Sequence, residues 1–108
     1  MSNKAVIVIA AAAAFLSGAA HAACTLETMT GAYNCQGAGC TPGAQDSSLS
    51  ENDKGKFTWM DGEGRQAPIT QQNDTVTVWW PTGQMDGDIQ ADCQRIRWRY
   101  DGHIDTRK

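Results

Sequence analysis

Residues 87–107 read GDIQADCQRIRWRYDGHIDTR, and their centre, Arg95-Ile96-Arg97-Trp98-Arg99-Tyr100, alternates charge and bulk without a break. A period of two is the pattern of a β-strand with one buried and one wet face. A cysteine precedes the run and an Asp-Gly pair follows it, so turns bound the strand on both sides. Upstream, Met85, Gly87, Ile89 and Ala91 share one parity while Asp86, Asp88 and Gln90 share the other, which predicts a second strand of the same kind.

Pairing these strands through an even loop over Cys93-Gln94 predicts Ala91 opposite Ile96 and Ile89 opposite Trp98. A slip of one residue would set aspartate against tryptophan, and a buried unpaired carboxylate costs on the order of several kcal/mol. After the ladder, a three-residue loop, Tyr100-Asp101-Gly102, sets Ile104 opposite Trp98 and Asp105 opposite Arg97. It is preferred because a two-residue loop would face Asp105 against Trp98. Ile96, Trp98, Tyr100 and Ile104 are then expected inside, with His103 outside as an exposed residue beside the turn. Arg95, Arg97 and Arg99 are expected to be neutralised by Asp92, Asp105 and Asp88 respectively, so the arginine stripe reads as a solvated face and not a polyanion site.

The remaining segments repeat the theme. Short strands are expected over 28–35, 47–50, 56–60, 66–71 and 75–80, separated by Gly-, Asn- and Asp-bearing turns, with a loop at 36–43. Pro68 cannot donate to a ladder, so its strand is an edge or carries a bulge. No stretch after the leader shows helical spacing over ten residues. The expected fold is all-β: a small antiparallel up-and-down meander of about 6–8 short strands, an open or closed barrel.

The chain has 108 residues and a formal net charge of −3. Lys4 followed by the apolar run from Ala5 to Leu16 and by Ala20-His21-Ala22 reads as a secretory signal over residues 1–22, cleaved near Ala22. The apolar run is too short to span a bilayer, where about 20 residues are needed. The remainder, 23–108, is expected to be one small domain, periplasmic or secreted, without a transmembrane segment and monomeric. Its acidic balance argues against nucleic acid as partner.

Four cysteines, Cys24, Cys35, Cys40 and Cys93, follow the signal. In an up-and-down meander, Cys24 and Cys93 fall at one end, and Cys35 and Cys40 at the other. The expected bridges are Cys24–Cys93 and Cys35–Cys40, both favoured by an oxidising compartment. A second reading lipidates Cys24, just past the cleavage site.

No constellation in the sequence points to catalysis, to a cofactor or to a metal. Asp86-Gly87-Asp88 with Asp92 lacks the spacing of a calcium loop. The tryptophan pair Trp79-Trp80 is more informative, since adjacent strand residues face opposite sides. Val76, Val78 and Trp80 share one face, which leaves Trp79 with Thr75 and Thr77 on the other. An exposed indole on a threonine face suits a small ligand, a glycan or a protein partner. Trp79, Thr75 and Thr77, with the 36–47 loop, are therefore the candidate binding surface of a non-enzymatic binding module.

The tripeptide Tyr33-Asn34-Cys35 near the start of an exported, disulfide-bonded β domain resembles the bacterial periplasmic lysozyme inhibitors. The resemblance implies an alternative function, inhibition of an envelope-acting hydrolase through a stable one-to-one complex. The Ser- and Tyr-bearing loop by which that family blocks its target has no counterpart here, so no site residue carries over. A third reading is a small hydrolase working through paired carboxylates.

Overall fold

The computed structural model describes residues 24–108. The segment read as an export signal lies outside them. A short 3-10 turn, Glu27–Met29, is followed by β1 (Gly31–Gln36), β2 (Ser47–Glu51), β3 (Phe57–Met60), β4 (Gln66–Gln72), β5 (Thr75–Trp80), β6 (Gly83–Ile89), β7 (Arg95–Trp98) and β8 (Ile104–Arg107). Each strand pairs antiparallel with its neighbours in chain order, and β1 returns to pair with β8 through Tyr33↔Arg107 and Cys35↔Asp105. The meander closes into an eight-stranded barrel.

Pro68 does not prevent closure. It sits near the start of β4 opposite Thr58, and the β4–β5 ladder begins at Ile69, one residue beyond it. The missing N–H falls where pairing with β5 has already ended.

Alternation sorts the chain as its sequence implies. Trp59, Ile69, Val76, Val78, Ile96 and Trp98 are buried inside the barrel, with polar neighbours outward. Trp59 packs edge-on against Trp98 with centroids 5.3 Å apart, and Tyr33 against Trp59 at 5.5 Å. Gly87, opposite Trp98 on β6, makes room for these rings: a Cβ there would lie 2.7 Å from Trp98 Cε3 and 2.8 Å from Ile96 Cγ2.

The N-terminal segment plugs one end. Met29 is fully buried, Leu26 and Cys24 nearly so, and the Tyr33 hydroxyl donates to the Met29 carbonyl. Cys24 is bonded to Cys93 at this end, and Cys35 to Cys40 at the other. The Cys24 sulfur is thus taken up by a disulfide, which sets aside its lipidated reading. Two disulfides in so small a domain fit an extracellular location. Among the described residues no helix is long and apolar enough to cross a membrane.

Register departs from expectation at two places. Between β6 and β7 the pairs are Ile89↔Ile96 and Gly87↔Trp98, displaced by two residues from the expected ones. The connection is a four-residue loop, closed by Gln90 N–H to Arg95 O at 2.9 Å, with Cys93 left-handed at φ 60°. A shift of two preserves every face, so the inside residues stay inside.

Between β7 and β8 the pairs are Ile96↔Asp105 and Arg97↔Ile104, one residue from expectation, and the faces of β8 exchange. Trp98 N–H donates to His103 O and Gly102 N–H to Trp98 O, enclosing four residues, 99–102, in the loop. Tyr100 is carried out of the ladder and is 66% exposed, while Ile104 turns to the outer face. Asp105 and His103, expected outside, are buried at 2% and 8% exposure. The expected Arg97–Asp105 pair is absent, and Arg97 stands cross-strand from Asp88. The other two arginines keep their partners, Arg95 with Asp92 at 2.9 Å and Arg99 with Asp88 at 2.7 Å.

Candidate functional site

The end opposite the plug is open. Four connections meet there, between β1 and β2, β3 and β4, β5 and β6, and β7 and β8. Together they border a cavity of about 730 Å³, whose walls include Trp59, Trp98, Trp80, Met85, Tyr100 and the buried pair His103 and Asp105. The volume lies in the range of small-molecule pockets, about 300–1,000 Å³.

The β1–β2 loop crosses the mouth and is anchored at both sides. A Cβ at Gly39, whose φ is +95°, would collide with the Asp101 carboxylate, so only glycine admits the loop this close. Farther along, Gln45 N–H donates to the Gly62 carbonyl at 3.2 Å. The Cys35–Cys40 bridge holds the near end of the loop beside β8.

A chain of polar contacts runs along the wall below this loop. Trp98 Nε1–H donates to Asp105 Oδ2 at 2.7 Å, and His103 Nε2 lies 3.5 Å from the same oxygen. His103 Nδ1 is 2.5 Å from Asp101 Oδ1, and that oxygen also accepts the His103 backbone N–H at 3.0 Å. The Tyr100 ring stands edge-to-face on the imidazole at 5.7 Å.

Both ring nitrogens of His103 therefore face carboxylates, an arrangement that only the protonated imidazolium can satisfy with two donors. Burial by itself lowers the His103 pKa. The hydrogen bonds and charges of Asp105 and Asp101 outweigh it and hold the group above the ordinary histidine value. For Asp101 burial acts upward, but hydrogen bonds from the His103 backbone and ring bring it below the usual carboxylate value. Burial, then the neighbouring Asp101, raise Tyr100.

One atom of this network is left over. Asp105 Oδ1 is buried and has no hydrogen-bond partner among the described residues. The rim carboxylates differ: Asp61 and Glu63 pair with Arg65 at 2.9 and 2.7 Å, and Asp46 with Lys108 at 2.8 Å.

Trp79, Thr75 and Thr77 lie together on the outer face of β5, as their parity implies, and border a separate recess with Thr70, Gln84 and Asp86. Trp79 is 48% exposed, and its indole N–H donates to Thr70 Oγ1 at 2.8 Å. Thr77 donates to Asp86 Oδ1 at 2.8 Å, and Thr75 Oγ1 accepts from Arg99 at 3.2 Å. The 36–47 loop does not join them. It borders the mouth, where its aromatic neighbour from the tryptophan pair is Trp80.

Sequence reasoning missed Asp101, His103 and Asp105 as a group. A usable signal was present, since His103 and Asp105 are two apart and must share a face of any strand. Trp98, treated as apolar bulk, carries the donor that lets a carboxylate come inside. Among the described residues no three His, Cys, Asp or Glu side chains gather as a metal site.

Compared with protein-family models, curated proteins and solved structures, the chain matches none. Fold and site define a class: a small, disulfide-stapled, eight-stranded up-and-down barrel, plugged at one end and open at the other.

Proposed function

We propose that the chain is an exported, monomeric, non-enzymatic binding module that takes a small molecule into the open mouth of its barrel. One observation carries this reading: a cavity of about 730 Å³ at the open end of the barrel, bordered by the half-buried Trp80 and the exposed Tyr100.

The test is tryptophan emission during titration with small molecules in a Trp79→Phe background. Trp59, Trp80 and Trp98 border the cavity, so the emission shift is expected to survive that substitution. A shift that vanishes with Trp79 would move the site to the outer face. There Trp79, Thr75 and Thr77 offer a half-exposed ring on a polar ledge, suited to a glycan or protein surface.

The inhibitor reading draws on Tyr100, which projects from the rim with 66% of its surface exposed. It requires a stable one-to-one complex with lysozyme or a similar envelope-acting enzyme, loss of that enzyme's activity, and relief of inhibition by Tyr100→Ala.

A further inference from the structure

We infer that the outer face of strands β4 to β6 is a second binding site, for a neutral oligosaccharide that stacks on Trp79. It lies on the outside of the barrel, apart from the mouth, and does not depend on the cavity reading. Three observations carry it: the ring, its polar surround and the local charge.

The ring is accessible and held in place. Trp79 is 48% exposed, whereas Trp59 and Trp98 are enclosed in the core. Its Nε1–H donates to Thr70 Oγ1 on the neighbouring strand at 2.8 Å, which ties down the orientation of the indole. A ring fixed before binding loses little side-chain freedom when a ligand lands on it. The C–H face of a sugar ring is apolar and flat, and an indole is its complement.

Polar groups surround the ring at strand spacing. Gln84 stands cross-strand from Trp79, and Thr70 and Asp86 stand on either side of Thr77. Three adjacent strands span about 10 Å, room for a short run of sugar rings. Several of these groups keep hydrogen-bonding capacity to spare. The Thr70 hydroxyl accepts from the indole and retains its own proton. Gln84 donates to Asp86 at 3.3 Å and retains its carbonyl oxygen. The exposed Gln72 amide has no side-chain partner among the described residues. Sugar hydroxyls both donate and accept, so they match such a mixture.

Composition and charge favour a sugar over other occupants. Trp79 is the one apolar side chain bordering the recess, and the other large exposed hydrophobic among the described residues, Tyr100, lies at the mouth. A stable protein interface buries about 800 Å² per partner around an apolar core, which a single ring does not supply. Asp86 is the one charged side chain at the border, and nearby Arg99 is paired with Asp88 at 2.7 Å. An anionic glycan finds no free cation there. Nor do the phosphates of a nucleic acid, whose bases also stack on aromatic rings.

Isothermal titration calorimetry of the disulfide-intact protein tests the inference with four probes. Three are neutral (cellotetraose, maltotetraose and tetra-N-acetylchitotetraose) and one is the anionic tetragalacturonate. At least one neutral tetrasaccharide is expected to bind with a millimolar or tighter Kd, and the anion at least tenfold more weakly. Trp79→Ala is expected to weaken that sugar at least tenfold with little change in melting temperature. Trp79→Tyr, which keeps a ring, is expected to recover part of the affinity, and Gln84→Ala to lose severalfold. A preference for the anion, or an affinity unchanged in Trp79→Ala, would overturn the site. If Tyr100→Ala abolished binding that Trp79→Ala left intact, the sugar would sit in the mouth, which overturns the outer site and supports the cavity. Binding of no neutral probe at millimolar concentration would overturn the saccharide site and leave the cavity reading standing.

Discussion

At its closed end the barrel is filled by Met29, Leu26 and the Cys24–Cys93 bridge, whereas at its open end the buried side chains include Ser47, His103 and Asp105. The plug completes its own contacts: Met29 is fully buried and its carbonyl accepts the Tyr33 hydroxyl. The mouth does not, because Asp105 keeps one oxygen without a partner. The difference teaches where each kind of free energy is spent in a small barrel. Apolar burial and the long-range bridge hold the fold at one end. That leaves the other end able to carry buried polar groups whose hydrogen bonds are incomplete.

The largest expected effect separates the two ends through their disulfides. Cys24–Cys93 joins residues 69 apart, Cys35–Cys40 residues 5 apart. Loop-closure entropy gives about 4 kcal/mol for the first and about 2 kcal/mol for the second. Urea unfolding of the paired serine variants, Cys24→Ser/Cys93→Ser and Cys35→Ser/Cys40→Ser, measures both, and an equal loss would erase the asymmetry.

Next come single side chains. Met29→Ala empties a fully buried site and is expected to lower stability by about 3 kcal/mol. Asp105→Ala leaves the Trp98 indole N–H without its acceptor, a cost of about 1–3 kcal/mol, and relieves the unpaired oxygen in part. A costlier loss at Asp105 than at Met29 would reverse the assignment of roles.

pH sharpens the comparison more gently. The raised His103 pKa gives stability that is complete below the ordinary value of 6.5 and is lost as pH rises through the folded value. The lowered Asp101 pKa gives stability present above 3.8 and lost as pH falls through its folded value. The mouth is therefore most stable between about pH 4 and 6.5. In the core, burial pushes Tyr33 up to about 12, so its contribution persists to pH 10 and fades above it. A melting-temperature profile should show a decline near neutrality that His103→Gln removes, and a separate alkaline loss that it does not.

The smallest effect belongs to the outer face. Trp79→Ala is expected to change stability by less than about 1 kcal/mol, since the ring is 48% exposed and loses one surface hydrogen bond. Thermal unfolding checks it, and a large loss would show Trp79 to be part of the frame.

Much of the frame was legible because alternation is local. The period-two runs at 75–80 and 95–100 and the turn residues between segments specified strands, an up-and-down order and the disulfide pairs. They also placed Trp79 and Trp80 on opposite faces, as found. The arginine stripe was largely matched, with Arg95 and Arg99 on their expected partners. Of the candidate site only the shared parity of His103 and Asp105 was legible, because which way that parity faces depends on the loop after Trp98.

Parity within a strand follows from backbone geometry alone, so the sequence of β7 determined which of its own residues face in. Register between strands depends on how many residues the turn consumes and on what the far edge must join. The barrel closes with Cys35 opposite Asp105, and a four-residue loop delivers β8 in that register. Only the assembled structure brought Asp105 beneath the Trp98 indole N–H, where a hydrogen bond 2.7 Å long made tolerable the burial that the bare sequence argued against.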